Sequence, residues 1–271
     1  MGRAWTVMGV VNVTPDSFSD GGLWLDTDAA IDHGVTLREQ GAEILDIGGE
    51  STRPGAEPVS EAEELRRVVP VLEGLRERAL GATLSIDTSK AAVARAALGV
   101  GATYVNDVTA FRHDPGIAGL VAEAGCDCCL MHMQGEPRTM QADPRYDDVV
   151  DDVRAFLEQR AAFAVAEGVA PQHIQLDPGI GFGKSLEHNV TLLRRLDEIV
   201  ALGFPVVVGV SRKAFLGALT GREVAADRVA ATVAANVIAY ERGARVFRVH
   251  DVPATVDGLK VAAGTLPGDD A

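Results

Sequence analysis

The chain has 271 residues, 47% of them hydrophobic and 24% charged, which is ordinary globular usage with enough apolar side chains for a large core. A formal charge of −14 argues against a nucleic-acid or anionic-membrane surface, because both need a positive field, but it leaves room for a small anion held by local cations. Cys126, Cys128 and Cys129, spaced C-D-C-C in an apolar segment, fit buried reduced thiols of a cytosolic protein better than disulfides or a zinc site. Apolar runs fall short of the roughly 18 residues of a membrane span. The N-terminus lacks the pattern of a secretion signal, and Gly2 with Thr6 matches a loose myristoylation pattern by chance. A cytoplasmic protein that binds neither nucleic acid nor membrane is expected.

In chain order, residues 5–11 read as a strand that leads into the polar, glycine-ended stretch NVTPDSFSDGG and then the helical pattern TDAAIDHGVTLREQ. A strand over 43–47 precedes SEAEELRRVVPVLEGLRERA, where Ser60 followed three residues later by Glu63 forms a capping-box pattern. Further strands fall at 83–86, 103–105 and 127–131, before the helical DVVDDVRAFLEQRAAFAVAEG. The last three strands lie at 174–176, 206–210 and 246–249, with DRVAATVAANVIAYERGA between the final pair. Eight strand-then-helix units in this length predict a parallel sheet closed as a (β/α)8 TIM barrel, with a doubly wound open sheet as the alternative. No composition break divides the chain, so one domain over 1–265 is expected, followed by a disordered tail at 266–271.

Each apolar run ends on a hydrogen-bonding or charged side chain: Asn12, then Asp46 with Glu50, Asp87, Asn106 with Asp107, His132, Asp177, Ser211 with Lys213, and Arg248 with His250. Any one of these could cap a helix or make a turn. Eight together point to the C-terminal mouth, where barrels of this kind place their chemistry.

DPGIGFGKS, 177–185, resembles a phosphate loop but has Pro178 where that motif requires glycine, so nucleotide binding by this route is not expected. A second Asp-Pro-Gly at 114–116 follows no apolar run, and Pro115 suits a first helical turn. His132, flanked by methionines, reads as a satisfied core residue before it reads as a ligand, and no H-E-x-x-H pair or G-x-S-x-G elbow appears. What remains is a mouth with carboxylates and amides on strands 3, 4 and 6 and cations with a histidine on strands 7 and 8. That division suits a ligand with a donor-rich ring at one end and an anionic group at the other.

NVTPDSFSDGG, DIGGESTRPGA, SIDTSK, NDV, MHMQGEPRTMQ, DPGIGFGK, GVSRKAFLG and RVHDV, in this order, resemble the dihydropteroate synthases, folate-pathway enzymes, over nearly the whole chain. The resemblance implies joining of 6-hydroxymethyl-7,8-dihydropterin diphosphate to p-aminobenzoate with release of pyrophosphate and assistance from Mg2+. By position it implies Asp87, Asn106, Asp177 and Lys213 around the pterin, with Met131 near its ring. It implies Arg248 and His250 on the diphosphate, Asn12 on the side of metal and diphosphate, and Ser211, Lys213 and Phe182 near p-aminobenzoate. Arg248, His250, Lys213 and Asp87 are the implied catalytic set. Thr52, Arg53 and Pro54 fall in the family's second loop, and Phe18 is expected to cover the reacting centre. A homodimer is also implied, with the alanine-rich helix 227–243 as a candidate interface.

Two other readings compete. A pterin-dependent methyltransferase domain would be expected to lack TPDSFSDGG and SRK and to accompany a corrinoid module. A non-catalytic relative that binds pterin would be expected to lose the diphosphate-side residues.

Overall fold

The computed structural model describes residues 5–14, 27–52, 56–136 and 138–265. Phe18, Arg53, Pro54 and the tail 266–271 lie outside the described residues. The strands are β1 (Thr6–Asn12), β2 (Ile44–Gly48), β3 (Thr83–Asp87), β4 (Tyr104–Asp107), β5 (Asp127–Met131), β6 (Ile174–Asp177), β7 (Val207–Val208) and β8 (Val246–Val249). All neighbours pair in parallel, in the order β6-β5-β4-β3-β2-β1-β8-β7, and a parallel bridge from Leu176 to Val206 joins the two ends into a barrel.

Helices α1 (Thr27–Glu39), α2 (Glu61–Arg78), α3 (Ala91–Gly99), α4 (Gly116–Ala124) and α5 (Val149–Ala166) fill the first five connections. Two helices, α6 (Leu186–Arg194) and α7 (Leu196–Val200), follow β6, and α8 (Ala214–Thr220) and α9 (Val229–Glu241) follow β7. The last helix, α10 (Val252–Thr265), packs on α9 and β1. The observed architecture is therefore the expected (β/α)8 barrel.

Alternation along the strands divides the core in two. Val7, Leu45, Ile86, Val105, Leu130, Leu176, Val208 and Phe247 belong to the large cluster between sheet and helices. Met8, Ile44, Tyr104, Cys129, Val207 and Val246 form a separate cluster filling the barrel interior, as small barrels require. The three cysteines are buried and free, as expected.

Two local expectations changed, and a third held. The seventh strand shrinks from 206–210 to two residues because the ladder splits: Val206 bridges to β6, and its carbonyl accepts from both Arg245 and Val246. The capping box of α2 is half formed. Ser60 Oγ accepts from the Glu63 amide, but the Glu63 carboxylate turns to Arg66 and Arg67 instead of back to the cap. A complete box occurs instead at Ser185 and His188, where an imidazole nitrogen replaces the usual carboxylate. The second Asp-Pro-Gly is structural: Pro115 starts α4, while Asp114 accepts from the Ala91 and Gly116 amides.

Candidate active site

Parallel register carries the sequence to the site. Asn12 pairs with Gly48, Gly48 with Asp87, and Asp87 with Asn106, so four strands end in one row; on the other side Met131 pairs with Asp177. Period two places all of these on the inward face; on β1 to β3 the next inward residues below are Val10, Asp46 and Ser85, with Met8 and Ile44 of the apolar interior layer beneath them. A β-carbon at Gly48 would stand 3.5 Å from Asp87 Cβ, an ordinary packing distance, so the two positions are direct neighbours in the row.

The centre of the row is a buried ionic network. Arg248 Nε donates to Asp46 Oδ2 at 2.6 Å and its other nitrogen to Asp87 Oδ2 at 2.8 Å. Asp46, fully buried, also accepts from Ser85 Oγ at 2.6 Å and Asn106 Nδ2 at 3.0 Å. Burial raises the Asp87 carboxyl to about 7 against the opposing pull of the Arg248 guanidinium. Asp177 Oδ1 accepts from the Gly179 amide at 2.7 Å, and burial raises this carboxyl too, with Lys213 and Arg248 opposing. Lys213 is lowered to about 8 by burial, against the attraction of Asp177. Its ammonium donates to the Ile180 carbonyl and stands 4.5 Å from the centre of the Phe182 ring. A β-carbon built at Gly209 would lie 3.9 Å from Asp177 Oδ2, Lys213 Nζ and Arg248 Cβ alike, so these three groups converge where the chain carries no side chain.

Above this floor lies a cavity of about 760 Å³. Asn12, Thr52, Asp87, Phe182, Ser211, Lys213, Arg248 and His250 all reach its wall. Asn106, Met131 and Asp177 do not line it; they are buried beneath, with Asn106 tied to Arg248 through Asp46. Met131 packs with Val108, Met133 and Met140, and Phe182 rests on that cluster. His250 donates its backbone amide to Ser211 Oγ at 3.2 Å, and its Nδ1 stands 3.0 Å from the same oxygen, tying β8 to the loop after β7.

The phosphate-loop look-alike has a structural explanation. Lys184 is turned inward, donating to the Gly179 and Phe182 carbonyls at 2.9 and 3.0 Å and lying 2.8 Å from His132 Nδ1. Burial and then the neighbouring Lys184 push His132 down to about 2, so it is a neutral acceptor in the core and not a ligand. Two glycines make the loop possible. A β-carbon at Gly179, which has φ 65°, would sit 1.8 Å from the His132 carbonyl oxygen, and one at Gly183 would sit 2.3 Å from that of Gln134.

Asp46 was read as a strand-end residue without a role of its own, and Ser85 was not singled out; the ion pair with Arg248, 202 positions away, is what makes Asp46 central. Arg212 was missed as well. It takes φ 60° between Ser211 and Lys213, with its amide donating to Thr232 Oγ1, its carbonyl accepting from Arg228, and its guanidinium on both oxygens of Asp251.

A barrel with this inward network of carboxylates, amides and cations at one mouth matches a known profile: residues 8–250 fit the pterin binding enzymes. The chain belongs to the pterin binding enzyme family. Its relatives within that family are the dihydropteroate synthases, transferases of folate biosynthesis. The synthase of Neisseria meningitidis serogroup B is 49% identical over 260 residues, covering 94% of this chain and 90% of that protein. A solved structure of Xanthomonas albilineans dihydropteroate synthase with 4-aminobenzoic acid superposes with a TM-score of 0.90 at 50% identity, covering 97% of this chain and 94% of the other. Another of the same enzyme with 7,8-dihydropteroate gives 0.86 at 47% identity, with the same coverage.

Proposed function

We propose that this mouth makes 7,8-dihydropteroate from 6-hydroxymethyl-7,8-dihydropterin diphosphate and p-aminobenzoate by a dissociative substitution. The convergence of Asp177, Lys213 and Arg248 around Gly209, with Asp87 on Arg248, carries the reading. The amino and N–H edge of a pterin supplies donors that the Asp177 carboxylate accepts as a pair, and Asn106 offers an amide beside it. Lys213, already at Asp177 and over Phe182, bridges the pterin floor to the wall where the aryl amine would lie. Ser211 and Phe182 line that wall.

Arg248 and His250 line the cavity where the departing diphosphate would accumulate charge, and fixed cations and donors there lower the cost of separating it from the pterin methylene. The dihydropterin ring spreads the positive charge left on that methylene, and the aromatic amine, held at near-attack distance, then forms the new C–N bond. The amine's lone pair makes the bond, and its surplus proton leaves to solvent, so no strong base is required.

The donor set suits magnesium. Among the described residues no cluster of three or more His, Cys, Asp or Glu could hold a metal alone, while Asn12 offers one amide oxygen on the cavity wall. One protein oxygen plus substrate phosphates is a shell magnesium accepts. When bound, Mg2+ would neutralise charge on the diphosphate. The proposal includes a homodimer, which sedimentation checks, and residence in the cytoplasm. Among the described residues no helix is long and apolar enough to cross a membrane.

The test is incubation of the purified protein with both substrates and Mg2+ and detection of dihydropteroate. Intact pterin binding with no product would favour a non-catalytic relative instead.

A further inference from the structure

The turn after β7 carries Ser211 and Lys213 on the cavity wall, and the residue between them has an unusual backbone. Lys213 donates its amide to the Val210 carbonyl at 3.2 Å, closing a four-residue turn in which Arg212 stands third with φ 60°. Turns usually give a positive φ at that position to glycine, because a β-carbon is crowded there. Another residue stays in such a conformation only where its surroundings over-determine it. Arg212 is held from outside the turn at its amide, its carbonyl and its guanidinium. The amide donates to Thr232 Oγ1 of α9 at 3.0 Å, and Thr232 is fully buried. The carbonyl accepts from Arg228 at 2.8 Å. The guanidinium meets Asp251 in a two-pronged ion pair, 2.8 Å to Oδ2 and 2.5 Å to Oδ1. Asp251 is itself anchored, since its carbonyl accepts from the Thr255 amide in the first turn of α10.

On either side of Arg212 the wall residues part. Ser211 Oγ accepts from the His250 amide beyond β8, whereas Lys213 donates to the Ile180 carbonyl after β6 and converges with Asp177. In extended chain, side chains two residues apart share one face and one direction. A left-handed residue between them breaks that relation, so one short turn serves the strands on both sides of β7.

We infer that Thr232 and Asp251 are positioning residues: together they hold Arg212 in its left-handed turn, and that turn directs Ser211 toward β8 and Lys213 toward β6. Neither residue touches a reacting atom; each acts through Arg212. The kinetic consequence rests on the proposed function, whereas the hold on the turn does not.

The test uses Thr232→Val, Thr232→Ser, Asp251→Asn and, as a control, Glu198→Gln in the full chain. Thr232→Val keeps the shape and removes the acceptor, while Thr232→Ser keeps the hydroxyl. Asp251→Asn keeps the size and removes the charge, and it carries the test if Thr232→Val does not fold. Glu198→Gln weakens a pair of the same two-pronged kind, with Arg195, on helix α7. Thr232→Val and Asp251→Asn are each expected to lower kcat/KM about 10- to 100-fold, the scale of a small misplacement of binding groups. Thr232→Ser retains nearly all of the activity, and so does Glu198→Gln. The Thr232→Val, Asp251→Asn double variant should lose less than the product of the two single losses, because both act on one residue. Hydrogen exchange is read in Asp251→Asn, where the Arg212 amide still has its acceptor. Peptides covering 209–216 should quicken while those covering 83–107 do not, which reports release of the turn without reference to turnover. Unchanged exchange over 209–216, a loss in Asp251→Asn no larger than in Glu198→Gln, or a Thr232→Ser as poor as Thr232→Val overturns the inference. An unsubstituted protein that makes no dihydropteroate would count against the proposed function, and the exchange result would still decide whether the turn is held in this way.

Discussion

The floor of the cavity and its outer wall are built by different means. On the floor, Asp46, Asp87, Asn106, Asp177 and Arg248 sit on strands whose mutual level is set by the ladders of a closed sheet. On the wall, Thr52, Ser211 and Lys213 sit on loops held by a few side chains: Glu50 on Val59, Ser211 on His250, Arg212 on Asp251. The floor draws its geometry from many backbone hydrogen bonds, so changing one side chain removes a contact and leaves the frame. The wall draws it from single clasps, so removing one frees a segment.

The strongest challenge to this division lies at Arg248 and His250. Replacing both by alanine is expected to lower kcat/KM by about 10³-fold or more, since both the charge and the donors facing the diphosphate go. Arg248→Ala also leaves Asp46 and Asp87 facing each other without their cation, a cost of about 3–5 kcal/mol, so melting must be followed alongside. His250→Ala alone avoids that cost and isolates the leaving-group effect. Retained turnover in the double variant would remove both residues from the chemistry.

A smaller effect should appear in the pH dependence. Asp87, raised from 3.8 to about 7, holds a proton in the folded chain that the unfolded chain has released, so its contribution to stability falls as pH rises between those values. Lys213, lowered from 10.5 to about 8, gives up its proton in the folded chain first, so stability rises with pH across that interval, the opposite sign. For kcat/KM these groups predict a bell, rising as Asp87 ionises near 7 and falling as Lys213 loses charge near 8. Lys213→Arg should abolish the falling limb. A limb that persists unchanged in that variant would assign it to another group.

What could be read in the sequence follows the same division. Strand ends on the floor were legible because period two and parallel register convert an apolar run and its last polar residue into a position facing the barrel axis. Asn12, Asp87, Asn106, Asp177 and Arg248 fell where they were expected. Asp46 lay in a quoted motif, yet its importance comes from Arg248 and Asn106, which local pattern cannot connect. The clasps were illegible for a related reason. Glu63 looked like the partner of Ser60 but is drawn to Arg66 and Arg67, and nothing local announces that Glu50 would close on Val59 or that Arg212 would take a positive φ. Lys184 is the converse case: its motif resembles a phosphate loop, Pro178 argued against that use, and its partners prove to be carbonyls of its own loop.

Lys184 therefore offers the smallest effect and the sharpest separation of floor from wall. Its ammonium gathers the carbonyls of Gly179, which follows Asp177, and of Phe182, which lines the wall. Lys184→Met keeps the stem length and removes the donors, leaving those two carbonyls and His132 Nδ1 without this partner. The expected loss of stability is about 1–3 kcal/mol, read as a lowered melting temperature. Asp177 is held by β6 and by its own bond from the Gly179 amide, so pterin affinity should change little. Phe182 lies in the loop after β6 and is held by side-chain packing alone, so KM for p-aminobenzoate should rise more than pterin affinity falls. Equal changes in both would mean that the loop from Asp177 to Ser185 moves as one body, and the boundary between floor and wall would then lie beyond Lys184, at the start of α6.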